Sequence, residues 1–262
     1  MAEPRPAALP LAASLEGPAD APILVLGDSL GTSRAVWDRQ VPSLARHFRL
    51  LRYELPGHGG SAAPGGPFTI AQLGSGVLAL LDEHGIERAA YCGISLGGMI
   101  GMWLAAHVPS RVETLGLICT SAYLPPASGW LARADQVRSA GLGSIREQSI
   151  GRWFTPMFVR NEPQVAAVFG AELERTDVAG YAGCCEAIAA MDLRPALGSI
   201  CARTLVIAGA EDMGIPPAHG ALIASRIDGA RLRVVRGAAH LANVAAPGEV
   251  TALLVDHLRT GR

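Results

Sequence analysis

At 262 residues, half of them hydrophobic, the chain can bury one substantial core, and α/β folds of this length form single domains. Its 22 basic and 23 acidic residues leave a formal charge of -1 with the cations scattered, which excludes the basic field that nucleic-acid binding needs. No apolar run approaches the roughly 20 residues that cross a bilayer, so the hydrophobic residues are expected in an internal core and the protein off the membrane. Five cysteines, an odd number without metal-ligand spacing and with Cys184 abutting Cys185, fit a reducing cytoplasm.

Residues 7–14 read as an N-terminal arm: Pro10 interrupts them, and Glu3 stands where a signal peptide carries positive charge. Short apolar or β-branched runs bounded by turn residues predict central strands at 23–26, 49–53, 90–94, 114–119, 204–208 and 232–235. Helix-length segments at 70–84 and 96–107 lie between them, and 247–258 reads as a closing amphipathic helix with Val250, Leu253, Leu254 and Leu258 on one side. This alternation predicts an α/β fold with a mostly parallel sheet flanked by helices. It fails between 123 and 197, where Pro125-Pro126, Trp130, Trp153 and Pro156 interrupt helical pieces, so a helical cap inserted within a single 1–262 domain is expected.

Two stretches share the pattern Gly-x-Ser-x-Gly. Gly93-Ile94-Ser95-Leu96-Gly97 follows a predicted strand and opens a predicted helix, the setting of a nucleophile elbow. There the glycines make room for a sharp turn, and the helix N-terminus presents amides to an oxyanion. Gly27-Asp28-Ser29-Leu30-Gly31 also matches, and its start resembles the GDSL esterases. That class takes its base from an Asp-x-x-His near the C-terminus, and no aspartate here has a histidine three residues later. By contrast, Asp212 follows the 204–208 strand and His240 the 232–235 strand, giving the order Ser, Asp, His and favouring Ser95 as nucleophile.

Of the seven histidines, His47, His84, His107 and His257 are expected on solvated helix surfaces, and His58 in the turn Pro56-Gly57-His58-Gly59-Gly60 is expected to be structural. Asp212 is preferred to its neighbour Glu211 as the acid that orients the base. A serine at the elbow argues against alkyl-enzyme chemistry on a carboxylate and for acyl transfer to water.

From residue 23 to 258 the chain resembles the 3-oxoadipate enol-lactonases of the α/β-hydrolase superfamily. The resemblance rests on Ser29-Leu30-Gly31-Thr32 with Trp37, Gly97-Gly98-Met99, Arg152-Trp153-Phe154-Thr155-Pro156, and Gly180-Tyr181-Ala182-Gly183-Cys184-Cys185. Two positions depart from it: Asp28 replaces an expected Asn, and Leu55-Pro56 an expected Thr-Arg. The resemblance implies hydrolysis of a small lactone through an acyl-enzyme on Ser95, with His240 as base, Asp212 as acid, and no metal or cofactor. It also implies an oxyanion hole of the Leu30 and Leu96 N–H groups; some members of that family carry a fused decarboxylase domain, which is not expected here because the chain ends after its last predicted helix. Trp130 and Arg133 are the expected substrate-binding residues, Arg133 for a carboxylate; packing within the cap is an equal reading of Trp130. Another carboxylesterase or carbon-carbon hydrolase of the same fold, or a ligand-binding protein with a slow triad, shares these residues. The oligomeric state, monomer or homo-oligomer, is left open.

Overall fold

The computed structural model describes residues 7–259. Seven strands form one sheet: β1 (Ala13–Glu16), β2 (Ile23–Gly27), β3 (Arg49–Tyr53), β4 (Ala89–Ile94), β5 (Val112–Ile118), β6 (Arg203–Gly209) and β7 (Arg231–Val235). Their order is β1-β3-β2-β4-β5-β6-β7, with β1 antiparallel to β3 and every other pair parallel. The helices are α1 (Val41–Leu44), α2 (Ile70–Glu83), α3 (Leu96–His107), α4 (Ala127–Ala140), α5 (Arg146–Trp153), α6 (Pro156–Asn161), α7 (Pro163–Arg175), α8 (Val178–Ala190), α9 (Pro217–Arg226), α10 (Ala242–Ala245) and α11 (Pro247–Arg259).

Helices on both faces explain why β4 is buried at every position and shows no alternation in sequence. At the edge, β7 exposes Arg231 and Arg233, which discourage pairing with another chain. Thr69 and Gln72 form a reciprocal capping box that starts α2. The five helices α4 to α8 all lie between β5 and β6, and α4 packs chiefly on α8.

The chain leaves β2 for β3 on one side of the sheet, then returns to place β4 on the other side of β2. The carboxyl ends of β2 and β4 therefore flank a topological switch point, where open α/β sheets form a crevice. Both Gly-x-Ser-x-Gly stretches begin there, each in the last residues of its strand.

Two expectations are corrected. The arm predicted at 7–14 runs into a strand, β1, whose half-buried positions carry no alternation and which is held by pairing with β3 from Ala13↔Tyr53 to Glu16↔Leu50. His257 is buried rather than solvated: α11 packs on β5, and the His257 Nε2 lies 3.1 Å from the Leu115 carbonyl. Burial there pulls its pKa down to about 4.

Candidate active site

Ser95 occupies the tight junction from β4 to α3 with φ 55° and ψ -117°, a positive-φ conformation that costs a residue with a side chain about 1–3 kcal/mol. Packing holds it there. A Cβ on Gly93 would lie 2.3 Å from the Gly97 carbonyl, and one on Gly97 would lie 2.4 Å from the Gly27 carbonyl. Ser95 N donates to the Ile118 carbonyl at 2.9 Å, Thr120 Oγ1 to the Ser95 carbonyl at 2.7 Å, and Gly97 N to the Asp28 carbonyl at 2.9 Å. The Ser95 side chain makes no capping bond to α3, which leaves its hydroxyl to face the crevice.

Asp212 follows β6 and is buried. Its Oδ1 accepts the amides of Gly214 at 2.9 Å and Ile215 at 2.8 Å, and its Oδ2 lies 2.7 Å from His240 Nδ1. Glu211 points outward, its Oε1 accepting the Gly237 amide at 3.2 Å. The His240 loop is tied to the end of α5: His240 N donates to the Arg152 carbonyl at 3.4 Å and Leu241 N to the Trp153 carbonyl at 3.0 Å. With Nδ1 directed at the carboxylate, Nε2 is the nitrogen left for chemistry.

After β2, the second stretch makes a different turn. Ser29 has no positive φ, no α-helix begins at the turn, and Thr32 N returns to the Ser29 carbonyl at 3.1 Å. The amides of Leu30 and Leu96 have no acceptor among the described residues. Asp28 is fully buried with neither carboxyl oxygen hydrogen-bonded. Burial, reinforced by the nearby Glu54 carboxylate and opposed by Arg52, pushes its pKa well above the usual carboxylate range, at the position where an amide was expected.

Ser29, Leu30, Ser95 and His240 line one cavity of about 570 Å³, its open mouth included, under α4, α5 and α8. That is within the usual range for a small-molecule site and large enough for a single ring with a short arm. Trp130 and Arg133 of α4 and Arg152 of α5 line it too. Arg133 donates to Tyr181 Oη at 2.8 Å, Gln148 Oε1 at 2.6 Å and Ser149 Oγ at 2.7 Å. These three partners are neutral, so its charge is oriented but not cancelled, and two of the five guanidinium N–H groups remain. Trp130 is half-buried against the core and also lines the cavity.

Arg152 and Tyr181 are among the cavity residues that sequence reasoning missed as site residues. Their motifs were visible, but which side chain in each turns inward depends on how the helices between β5 and β6 fold over the sheet. Burial and the neighbouring Arg133 both lower the pKa of Arg152, as expected for two cations sharing one opening. No group of three His, Cys, Asp or Glu side chains among the described residues is placed to hold a metal ion.

Residues 22–247 match the alpha/beta hydrolase fold family. Over 231 residues the chain is 40% identical to 3-oxoadipate enol-lactonase 2 of Acinetobacter baylyi, covering 88% of this chain and 86% of that protein. Among solved structures, the enol-lactonase from Burkholderia xenovorans LB400 superposes with a TM-score of 0.93 at 40% identity, over 95% of this chain and 96% of that one. A hydrolase from Pseudomonas aeruginosa PA01 does so at 0.93 and 43% identity, over 95% and 94%.

Proposed function

This chain belongs to the α/β-hydrolase family, and from that premise we propose that it hydrolyses 3-oxoadipate enol-lactone to 3-oxoadipate, a reaction of aromatic catabolism by the β-ketoadipate route. One observation carries the reading: Ser95 and the Asp212-paired His240 share a cavity with two arginines that lack carboxylate partners among the described residues. The lactone ring supplies the acyl group and its acetate arm the anion.

In this mechanism Ser95 Oγ attacks the lactone carbonyl while His240 Nε2 takes its proton. Asp212 accepts the Nδ1–H, fixing the tautomer and stabilising the imidazolium. The Leu30 and Leu96 N–H groups receive the oxyanion. Collapse breaks the ring C–O bond, and the departing enol oxygen takes the proton from His240 and tautomerises to the ketone. Because that tautomer is more stable, ring opening is driven forward. Water, deprotonated by His240, then cleaves the acyl-enzyme.

Residues 123–197 act as the cap over this chemistry, and Arg133, oriented by Tyr181 and Ser149, anchors the substrate carboxylate beside Trp130. Arg152, at the opening, adds to the attraction. A cytoplasmic location fits the five free cysteines and the small acidic metabolite.

The test is loss of ultraviolet absorbance of freshly generated enol-lactone, with p-nitrophenyl acetate as a neutral reference ester. Arg133→Ala should raise KM for the lactone about tenfold, the worth of one charge-assisted hydrogen bond, and leave KM for the neutral ester nearly unchanged. Hydrolysis of the reference ester without any turnover of the lactone would sink the substrate assignment and leave the hydrolase.

A further inference from the structure

The two peptide planes that flank Leu30 are each pinned by a different partner. The Ser29–Leu30 plane carries the Leu30 N–H on one edge and the Ser29 carbonyl on the other. That carbonyl accepts both Thr32 N at 3.1 Å and Thr32 Oγ1 at 2.9 Å. The Leu30–Gly31 plane is held from outside the turn: Gly31 N donates to His58 Nε2 at 2.9 Å.

Chemistry fixes the state of that histidine. His58 Nδ1 lies 2.9 Å from the Pro56 carbonyl, which can only accept, so Nδ1 carries the hydrogen and Nε2 is bare. An imidazolium would turn an Nε2–H against the Gly31 N–H. The ring is fully buried, and burial pulls its pKa down to about 4, which keeps it neutral. Its backbone is anchored within the β3–α2 loop, His58 N to the Leu55 carbonyl and Ser61 N to the His58 carbonyl, each at 2.9 Å. On the far side it stacks on Tyr181, the residue that receives Arg133.

Gly31 itself has no freedom to compensate. Its φ is +81°, and a Cβ there would meet Leu173 at 2.7 Å and Tyr181 at 3.2 Å. His58 does not line the cavity, and both ring nitrogens are engaged, so it moves no proton in the reaction.

We propose that His58 is a positioning residue of the oxyanion hole: by accepting the Gly31 N–H it aims the Leu30 N–H at the oxygen that becomes negative in the transition state. The proposal rests on Ser95 as nucleophile and Leu30 as one oxyanion donor. A donor displaced by a fraction of an ångström loses part of the 10²–10³ that one such group contributes, so the expected effect is about 10- to 100-fold.

The test compares wild type, Ser95→Ala, His58→Leu, which has no acceptor, and His58→Gln, whose amide oxygen restores one, on the lactone and on p-nitrophenyl acetate. Binding of phenylboronic acid, which mimics the tetrahedral adduct, is measured alongside. His58→Leu should lower kcat about 10- to 100-fold with KM changed by less than about threefold, and weaken the boronate in parallel. His58→Gln should recover most of both. The acid limb of kcat/KM should stay at the wild-type pH, because the base is untouched.

Loss of hydrolysis in Ser95→Ala together with wild-type kcat and boronate affinity in His58→Leu would overturn the role of His58 alone. That role falls equally if His58→Gln is as slow as His58→Leu. Hydrolysis that survives Ser95→Ala would overturn the reading beneath it as well. Nitrogen NMR of wild type needs no variant to fold: a scalar coupling from Gly31 N–H to a bare His58 Nε2 is expected, and an Nε2–H tautomer would refute the proposal.

Discussion

Two turns in this molecule share one five-residue pattern and take different shapes, and the proposed function gives them different work. In the turn after β4, Ser95 is forced to positive φ, its flanking glycines touch backbone on both sides, and a helix begins at once behind it. In the turn after β2, Ser29 has no positive φ, and the positive-φ position has moved to Gly31, whose N–H a histidine 27 residues away accepts. The two turns also contact each other, through Gly97 N on the Asp28 carbonyl. A nucleophile needs a hydroxyl raised above the turn, whereas an oxyanion donor needs only a backbone plane held still. In the proposed mechanism the same glycine spacing serves both, and what surrounds the serine separates them.

Ser95→Ala sharpens that difference most. It should lower kcat on the enol-lactone by about 10⁴–10⁶, down to what oxyanion contacts and binding alone supply, with the thermal midpoint nearly unchanged. Gly97→Ala attacks the contact between the turns. Its Cβ would lie 2.4 Å from the Gly27 carbonyl, so either backbone must shift. A loss of about 2–4 kcal/mol in urea unfolding and at least about tenfold in kcat is expected.

Asp28→Asn tests the buried acid of the β2 turn. The unfolded chain releases this proton near pH 4, while the folded chain, with its pKa raised, retains it. Stability of the wild type is therefore drained as pH rises above about 4, and the amide removes that drain. The variant should gain about 2–4 °C per kcal/mol recovered, with a larger gain at pH 8 than at pH 5 by calorimetry. A gain that shrank with rising pH would mean that Asp28 is ionised in the fold. The smallest effect belongs to Ser29→Ala, less than about threefold on kcat in the same absorbance assay.

Much of this contrast is legible in the sequence, because glycine spacing and strand-to-helix context are local. The strands from 23 to 235 read correctly for the same reason: a run buried on both faces is a property of consecutive residues. β1 escaped because its four half-buried residues gain their order from β3, far along the chain. His257 was misjudged because its partner, Leu115, lies 142 residues away. The tie from His58 to Gly31 and the inward turn of Arg152 are likewise tertiary facts, fixed when loops and helices pack over the sheet. Asp212 was separable from Glu211 only by its expected place in the loop. The structure adds the two amides that hold its carboxylate toward His240.

The most direct measurement is peptide mapping by mass spectrometry after labelling the native protein with a fluorophosphonate, which adds covalently to an activated serine. One equivalent bound to Ser95, with none on Ser29, is the predicted result. Stoichiometric label on Ser29 would contradict it, since the nucleophile would then lie in the turn to which the proposal assigns the oxyanion.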